Sequence, residues 1–191
     1  MTHEICSCTV SIVIPVYNCE QYLRSAVASV GTSSLVIEIF VVDDCSTDSS
    51  YAVASDIAKL DDRVRLLANS TNMGPSFSRN LAIGAATGDW IAILDADDEF
   101  TANRLEFLLG VAIDQGLDVV CDTLQPIDSH GTELKATPIF EFDTNIEWAP
   151  LSPESFISAD NPGNSKTNAG YLKPIFRSDY LRKNNISYDE R

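Results

Sequence analysis

The sequence predicts an α/β protein, a mostly parallel and Rossmann-like sheet with helices on both faces, and three observations predict it. Short β-branched apolar runs alternate with stretches of helical spacing from Val10 to Cys121. Alternation of this kind builds parallel sheets, because each crossover helix must bury its apolar stripe against the strands. Polar clusters follow the predicted carboxyl ends of the strands, where α/β sheets collect their ligands. Finally, 191 residues at 45% hydrophobic composition are enough for one domain with a substantial core.

Val10–Val16 (VSIVIPV) reads as a buried strand that leaves its sheet at Pro15 and Asn18. Asn18 is a suitable cap for a helix over Glu20–Val30, with Tyr22, Leu23, Ala26, Val27 and Val30 on one face. Ile37–Val42 is a second apolar strand, closed by Asp43 and Asp44, and Ser49–Leu60 has helical spacing. Val64–Ala68 is a third strand. Pro75 suits the first turn of a helix over Ser76–Ala86, Gly88 suits its exit, and Gly84 permits close packing against the sheet. Trp90–Leu94 is a fourth strand, Ala102–Gln115 a helix and Leu117–Cys121 a fifth strand. The rhythm then fails: 125–167 is rich in Pro, Ser, Asn, Asp and Thr, with a weak helical hint over Pro153–Ala159, and such an excursion carries partner or substrate contacts. Tyr171–Ile175 reads as extended and Ser178–Asn184 as a last short helix.

With 13 basic against 28 acidic residues the net charge is −15, which argues against a nonspecific grip on nucleic acid or an anionic membrane. The five cysteines are odd in number and form no repeated CxxC pattern, so a reduced, cytoplasmic setting is expected. Cys6 and Cys8 with His3 match no zinc spacing and belong to an N-terminus expected to fray. No charged-then-apolar leader precedes the core, and the longest apolar runs are too short to cross a bilayer. Peripheral association with the inner face of a membrane stays open.

The stretch WIAILDADDEF, Trp90–Phe100, runs from an apolar strand straight into Asp95, Asp97, Asp98 and Glu99. Four acids this close repel one another, and a divalent cation cancels that repulsion. Magnesium takes one or two protein carboxylates and fills its shell from water and phosphates, and Asp95 and Asp97, separated by small Ala96, meet that requirement. The competing reading is that Asp97, Asp98 and Glu99 face the positive N-terminus of the next helix, which leaves Asp95 unexplained. After the second strand, Asp48 alone can cap the following helix, leaving Asp43 or Asp44 to accept from a donor such as the imide N–H of a uracil ring. Arg79 lies near a helix start, where the dipole disfavours a cation, so it either pairs with a rim acid or contacts substrate.

Four blocks in this order, VSIVIPVYN, IEIFVVDDCSTDSS, NMGPSFSRNLAIGAATGDWIAILDADDEF and YLKPIFRSDYLRKNNISYDE, resemble those of family-2 glycosyltransferases, inverting metal-dependent enzymes of the GT-A fold. The resemblance implies one nucleotide-sugar-binding domain, with about 9–124 as the donor-binding core and 125–191 as an acceptor-side excursion. Pro15, Val16 and Tyr17 would line the base pocket, Asp43 or Asp44 would hold the uracil, and Arg79 would support it. Asp95 would reach the ribose, Ala96 would belong to the donor site, and Asp97, with Asp95, would bind Mn2+ or Mg2+ in a DxD arrangement. The implied reaction passes a sugar from a UDP-sugar to a saccharide or lipid-linked acceptor, in cell-surface polysaccharide synthesis. Its general base would follow the block that here reads ISYDER, so the catalytic acid is expected beyond Arg191 and transfer by this chain is expected to be poor or absent. Cys45 stands where small residues are frequent in that family and is given no role.

Other classes fit less well. A dehydrogenase would need a glycine-rich turn where this chain has IPVYN, and a P-loop kinase would need GxxxxGK. A glycosidase would place two acids on opposite sides of a bond, whereas Asp95 and Asp97 share one short loop. A magnesium-dependent phosphoacceptor signalling domain would carry its acid pair after the first strand and a lysine after the fifth; here the pair follows the second, and Asp122–Gln125 holds no lysine. A nucleotide-sugar-binding module without turnover is the remaining alternative.

Overall fold

The computed structural model describes residues 8–128, 132–133, 150, 152 and 172–191. Five strands and helices alternate as the pattern requires: β1 Val10–Val16, α1 Leu23–Ser29, β2 Val36–Asp43, α2 Ser50–Ala58, β3 Val64–Ala68, α3 Pro75–Ala85, β4 Trp90–Ile93, α4 Arg104–Gln115 and β5 Val119–Val120. A strand β6 (Ile175–Arg177) and a helix α5 (Ser178–Asn184) close the described chain. The sheet order is β3-β2-β1-β4-β6-β5. β1 pairs in parallel with β2 and β4, and β2 with β3, while β6 runs antiparallel to both β4 and β5.

The period of two along each strand divides the core into two layers. Val10, Ile12, Ile14 and Val16 of β1, with Ile39 and Val41 of β2 and Trp90 and Ala92 of β4, pack against Leu23, Ala26 and Val27 of α1, Ala54 and Ile57 of α2, and Leu105, Leu108, Leu109 and Ala112 of α4. The intervening Val13, Phe40, Val42, Ile91 and Ile93 pack against Ala82 and Ala86, at and just beyond α3, and Leu181 of α5. Both faces of the central strands are therefore covered, which is why β1 is buried along its whole length.

By its contacts the chain forms two compact units, Met1–Val120 with Pro174–Arg191, and Cys121–Lys173. In the second, Ile127 and Glu133 form an isolated antiparallel bridge and Asp128 N donates to Thr132 O over 2.9 Å. Pro174–Arg191 lies with the first unit because β6 inserts between β4 and β5. The helical hint over Pro153–Ala159, the proposed N-terminal Cys6 and His3, and Tyr171 lie outside the described residues.

Three local readings are corrected. α1 begins at Leu23 rather than Glu20, and Asn18 does not cap it: its φ is 52°, and its Oδ1 accepts from Thr47 N (2.8 Å) in the loop after β2. Gly84 packs against nothing, since a Cβ there would stand in open space. Gly88 is the close approach, because a Cβ would meet Ser11 N and Oγ at 2.7 Å. The fifth strand is only two residues long, with an edge residue, Val119, that is half exposed.

A rim of carboxylates at the strand ends

The register sets which loops share an edge. Val16 stands opposite Asp43, and Val13 opposite Ile93. Asp44 N then donates to Val16 O (2.8 Å) and Leu94 N to Val13 O (3.0 Å), so the ladder carries on into the polar segments. Asp43 thus ends β2, while Tyr17 and Asp95 follow the carboxyl ends of the adjacent β1 and β4, on the edge where ligands bind in open α/β sheets. Electrostatics carry the same message: the Cys19 thiol is pushed up by burial and by the charges of Asp97, Asp48 and Asp95, which come from the loops after β4 and β2.

The loops after β1 and β2 are stitched together. Asn18 N donates to Ser46 Oγ (3.1 Å), Cys19 N to Ser50 Oγ (2.8 Å), and Glu20 N to Asp48 Oδ2 (3.2 Å). Asp48 also receives Ser50 N at the start of α2 (2.9 Å), a local turn bond rather than the expected cap, since Ser49 holds the N-cap position. Burial alone would raise its pKa, but these hydrogen bonds to the charged form hold it below the usual carboxylate range.

Asp43 and Asp44 are both buried, yet they differ in what they touch. Asp44 is fully engaged: Oδ1 accepts from Asn69 Nδ2 (2.7 Å) and Met73 N (2.8 Å), and Oδ2 accepts from Gly74 N (2.7 Å). It therefore shapes the turn into α3, where Gly74 holds a φ of 86° that a side chain would resist, and Pro75 starts the helix. Asp43 accepts from Ser46 N at Oδ2 (3.1 Å), while its buried Oδ1 has no hydrogen-bond partner among the described residues. A buried acceptor left open is costly unless a ligand completes it.

Beyond β4, Asp98 N donates to Asp95 O (3.1 Å), a tight turn with Asp97 at its exposed tip. Asp97 makes no hydrogen bond or ion pair among the described residues. The helix-capping alternative fails for this cluster, because α4 starts only at Arg104 with Asn103 as its N-cap. Ala96 between the two acids is buried. Arg79 Nη2 donates to Asp95 Oδ1 (2.7 Å), the rim ion pair that was one of its two expected roles. Tyr17 is about half exposed beside this edge, and Pro15 and Val16 are buried at the end of β1.

Among the described residues, no group of three or more His, Cys, Asp or Glu side chains is arranged to hold a metal ion. Hard divalent cations need only one or two protein carboxylates, because phosphate and water oxygens complete their shell. The donor chemistry fits: Asp97 offers an exposed carboxylate with no protein partner. A cavity of about 480 Å³ between Ser29–Ser33 and Phe100–Glu106 holds none of these rim residues. Sequence reasoning missed Tyr188 and Asn80: the Tyr188 ring stands 5.2 Å from the Arg79 guanidinium, and Asn80 binds the Tyr188 backbone. No helix among the described residues is long and apolar enough to cross a membrane.

Similarity to known proteins identifies the family and the fold. The description "Glycosyl transferase family 2" matches residues 11–180. The chain is 34% identical over 182 residues to the succinoglycan biosynthesis protein ExoO of Rhizobium meliloti (strain 1021), covering 95% of this chain and 51% of that one. It is 38% identical over 180 residues to the uncharacterized glycosyltransferase YibD of Escherichia coli (strain K12), covering 93% and 51%. It thus spans about half the length of these relatives. Among solved structures, S. aureus TarS in complex with UDP superposes with a TM-score of 0.63 at 22% identity over 95% of this chain and 50% of that one. The mannosyltransferase PcManGT from Pyrobaculum calidifontis, in complex with GDP-Man and Mn2+, gives 0.65 at 17% identity over 96% and 48%. At these identities the structures establish the GT-A fold, and the sequence matches establish the family. The chain belongs to glycosyl transferase family 2.

Proposed function

We propose that this chain is the donor-binding part of a glycosyltransferase that passes a sugar from a UDP-sugar, with inversion, to a saccharide or lipid-linked acceptor in cell-surface polysaccharide synthesis. The observation that carries the reading is a pairing on one rim: a buried acceptor without a protein donor, Asp43 Oδ1, and an exposed carboxylate without a partner, Asp97. The first suits the imide N–H of a pyrimidine base, and the second a cation on a diphosphate. Support comes from relatives named for succinoglycan biosynthesis and from neighbours solved with UDP, UDP-GlcNAc, or GDP-Man and Mn2+.

In this reading Pro15, Val16 and Tyr17 flank the base, and Asp43 Oδ1 accepts its N–H. Asp44 serves indirectly, by fixing the turn into α3 that presents Arg79. Arg79 orients Asp95 toward the ribose, and Asp97, with Asp95, holds Mn2+ or Mg2+. When bound, the cation neutralises the charge that develops on the departing diphosphate. An inverting transfer also needs a base on the acceptor hydroxyl. Asp189 accepts from the Arg191 guanidinium and Glu190 from Asn80 Nδ2, so we assign the base to neither acid.

Calorimetry with UDP, with and without Mn2+, tests the donor site. Tight binding that requires the metal is expected. Equal, weak heats in both conditions would overturn the assignment, and GDP binding better than UDP would overturn the pyrimidine part of it.

A further inference from the structure

We propose that Asn80 and Tyr188 are positioning residues that hold the Arg79–Asp95 pair in register, an inference that rests on the donor-site reading. Asn80 Nδ2 donates to Tyr188 O (2.9 Å) while Tyr188 N donates to Asn80 Oδ1 (2.9 Å). One side-chain amide thus matches both backbone groups of a residue 108 positions away, as a neighbouring strand would. A third bond, from Asn80 Nδ2 to Glu190 Oε1 (2.7 Å), ties down the next turn of the same segment.

The consequence falls on the neighbouring residue of α3. With its backbone bracketed, Tyr188 presents its ring 5.2 Å from the Arg79 guanidinium carbon. Arg79 stands in the first half of α3, where the helix dipole repels a cation, and a flexible arginine there needs partners to hold one rotamer. It has two, the π-face of Tyr188 and the carboxylate of Asp95 at 2.7 Å. Its Nε stays buried with no hydrogen bond among the described residues, so the guanidinium is placed by these two partners and not by its own best solvation. The Tyr188 hydroxyl is pushed up by burial and by Asp95, against the pull of Arg79, as expected for a ring seated beside that pair.

The order Asn80, Tyr188, Arg79, Asp95 is therefore a chain of support running from a carboxamide on α3 to a carboxylate on the rim. The test measures UDP affinity in the presence of Mn2+ by calorimetry, alongside hydrogen exchange at the Tyr188 amide. Tyr188→Leu removes the π-face and is expected to weaken UDP about tenfold. Tyr188→Phe keeps the ring and is expected to stay within about twofold of the parent protein. Asn80→Ala is expected to weaken UDP about as much as Tyr188→Leu and to speed exchange at the Tyr188 amide. Wild-type affinity in Tyr188→Leu would overturn the proposal alone, as would a Tyr188→Phe variant as weak as Tyr188→Leu. If the unaltered protein binds no UDP with Mn2+, the donor-site reading falls first and this inference with it.

Discussion

At the residue scale, the adjacent aspartates at the end of β2 differ in how many protein donors they meet. Asp44 accepts three hydrogen bonds, two of them from backbone N–H groups, so Asp44→Asn sets an amide donor against donors and should destabilise by about 2–4 kcal/mol. Asp43→Asn meets only one donor, Ser46 N, and should change stability by less than about 1 kcal/mol while weakening UDP binding. Urea unfolding and calorimetry on the same two variants check both halves; equal losses of stability would show that Asp43 is as structural as its neighbour. For the other end of the site, Asp97→Ala should abolish the Mn2+ dependence of UDP binding with no change in stability beyond about 0.5 kcal/mol, because its side chain is exposed and unpartnered. Cys45→Ala is the control. Its Sγ makes only a 3.8 Å contact to Ser70 O and its φ of 60° is unchanged by the substitution, so neither metal dependence nor affinity should move.

At the element scale, two glycines 4 residues apart should respond with opposite signs. Gly84 lies within α3 with open space where a Cβ would point, so Gly84→Ala should stabilise by about 0.5–1 kcal/mol. Gly88 sits at 2.7 Å from Ser11 backbone and side chain, so Gly88→Ala must push β1 away and should destabilise by about 1–3 kcal/mol or more. Thermal melts of the pair decide it, and matching signs would show that the approach of Gly88 to Ser11 is not tight. The same contrast shows which parts of the fold the chain spells out locally. The β-branched runs of β1, β2 and β3 and the Pro75 start of α3 are set by neighbours in sequence, and they stand within a residue or so of where the pattern puts them. What depended on distant partners was not legible. Asn18 looks like a cap, but its partner is Thr47, and the three-residue β6 takes its antiparallel place between β4 and β5 from pairing that no local pattern specifies. In the candidate site, clustered aspartates announced themselves by repulsion, whereas the choice between Asp43 and Asp44, and the clamp of Asn80 on Tyr188, depend on hydrogen bonds that no spacing encodes.

At the scale of the whole molecule, two opposed effects of acid meet. The protein carries a net charge of −15 at neutral pH and has an isoelectric point near 4.3, so mild acidification relieves self-repulsion and should at first stabilise it. Against this stands Glu38, buried where β1, β2 and the exit of α3 converge. Burial by itself would raise its pKa; hydrogen bonds from Ser11 Oγ (2.7 Å), Thr87 N (2.7 Å) and Thr87 Oγ1 (2.9 Å), with the charge of Arg65, outweigh it and hold the carboxyl below its ordinary value of 4.5. A depressed carboxyl binds fewer protons folded than unfolded, so its contribution is fully present above the unfolded pKa and is lost as the pH falls through the folded one. Glu38→Gln keeps the shape but not the charge, and should lower stability at neutral pH by about 1–3 kcal/mol, the worth of hydrogen bonds to a charged acceptor. The gap between the two proteins should then close as urea unfolding is repeated from about pH 7 down to about pH 3, because the parent loses what the variant never had. A gap that stays constant across that range would mean that Glu38 contributes by packing alone, and the acid limb of the stability curve would have to come from the exposed carboxylates instead.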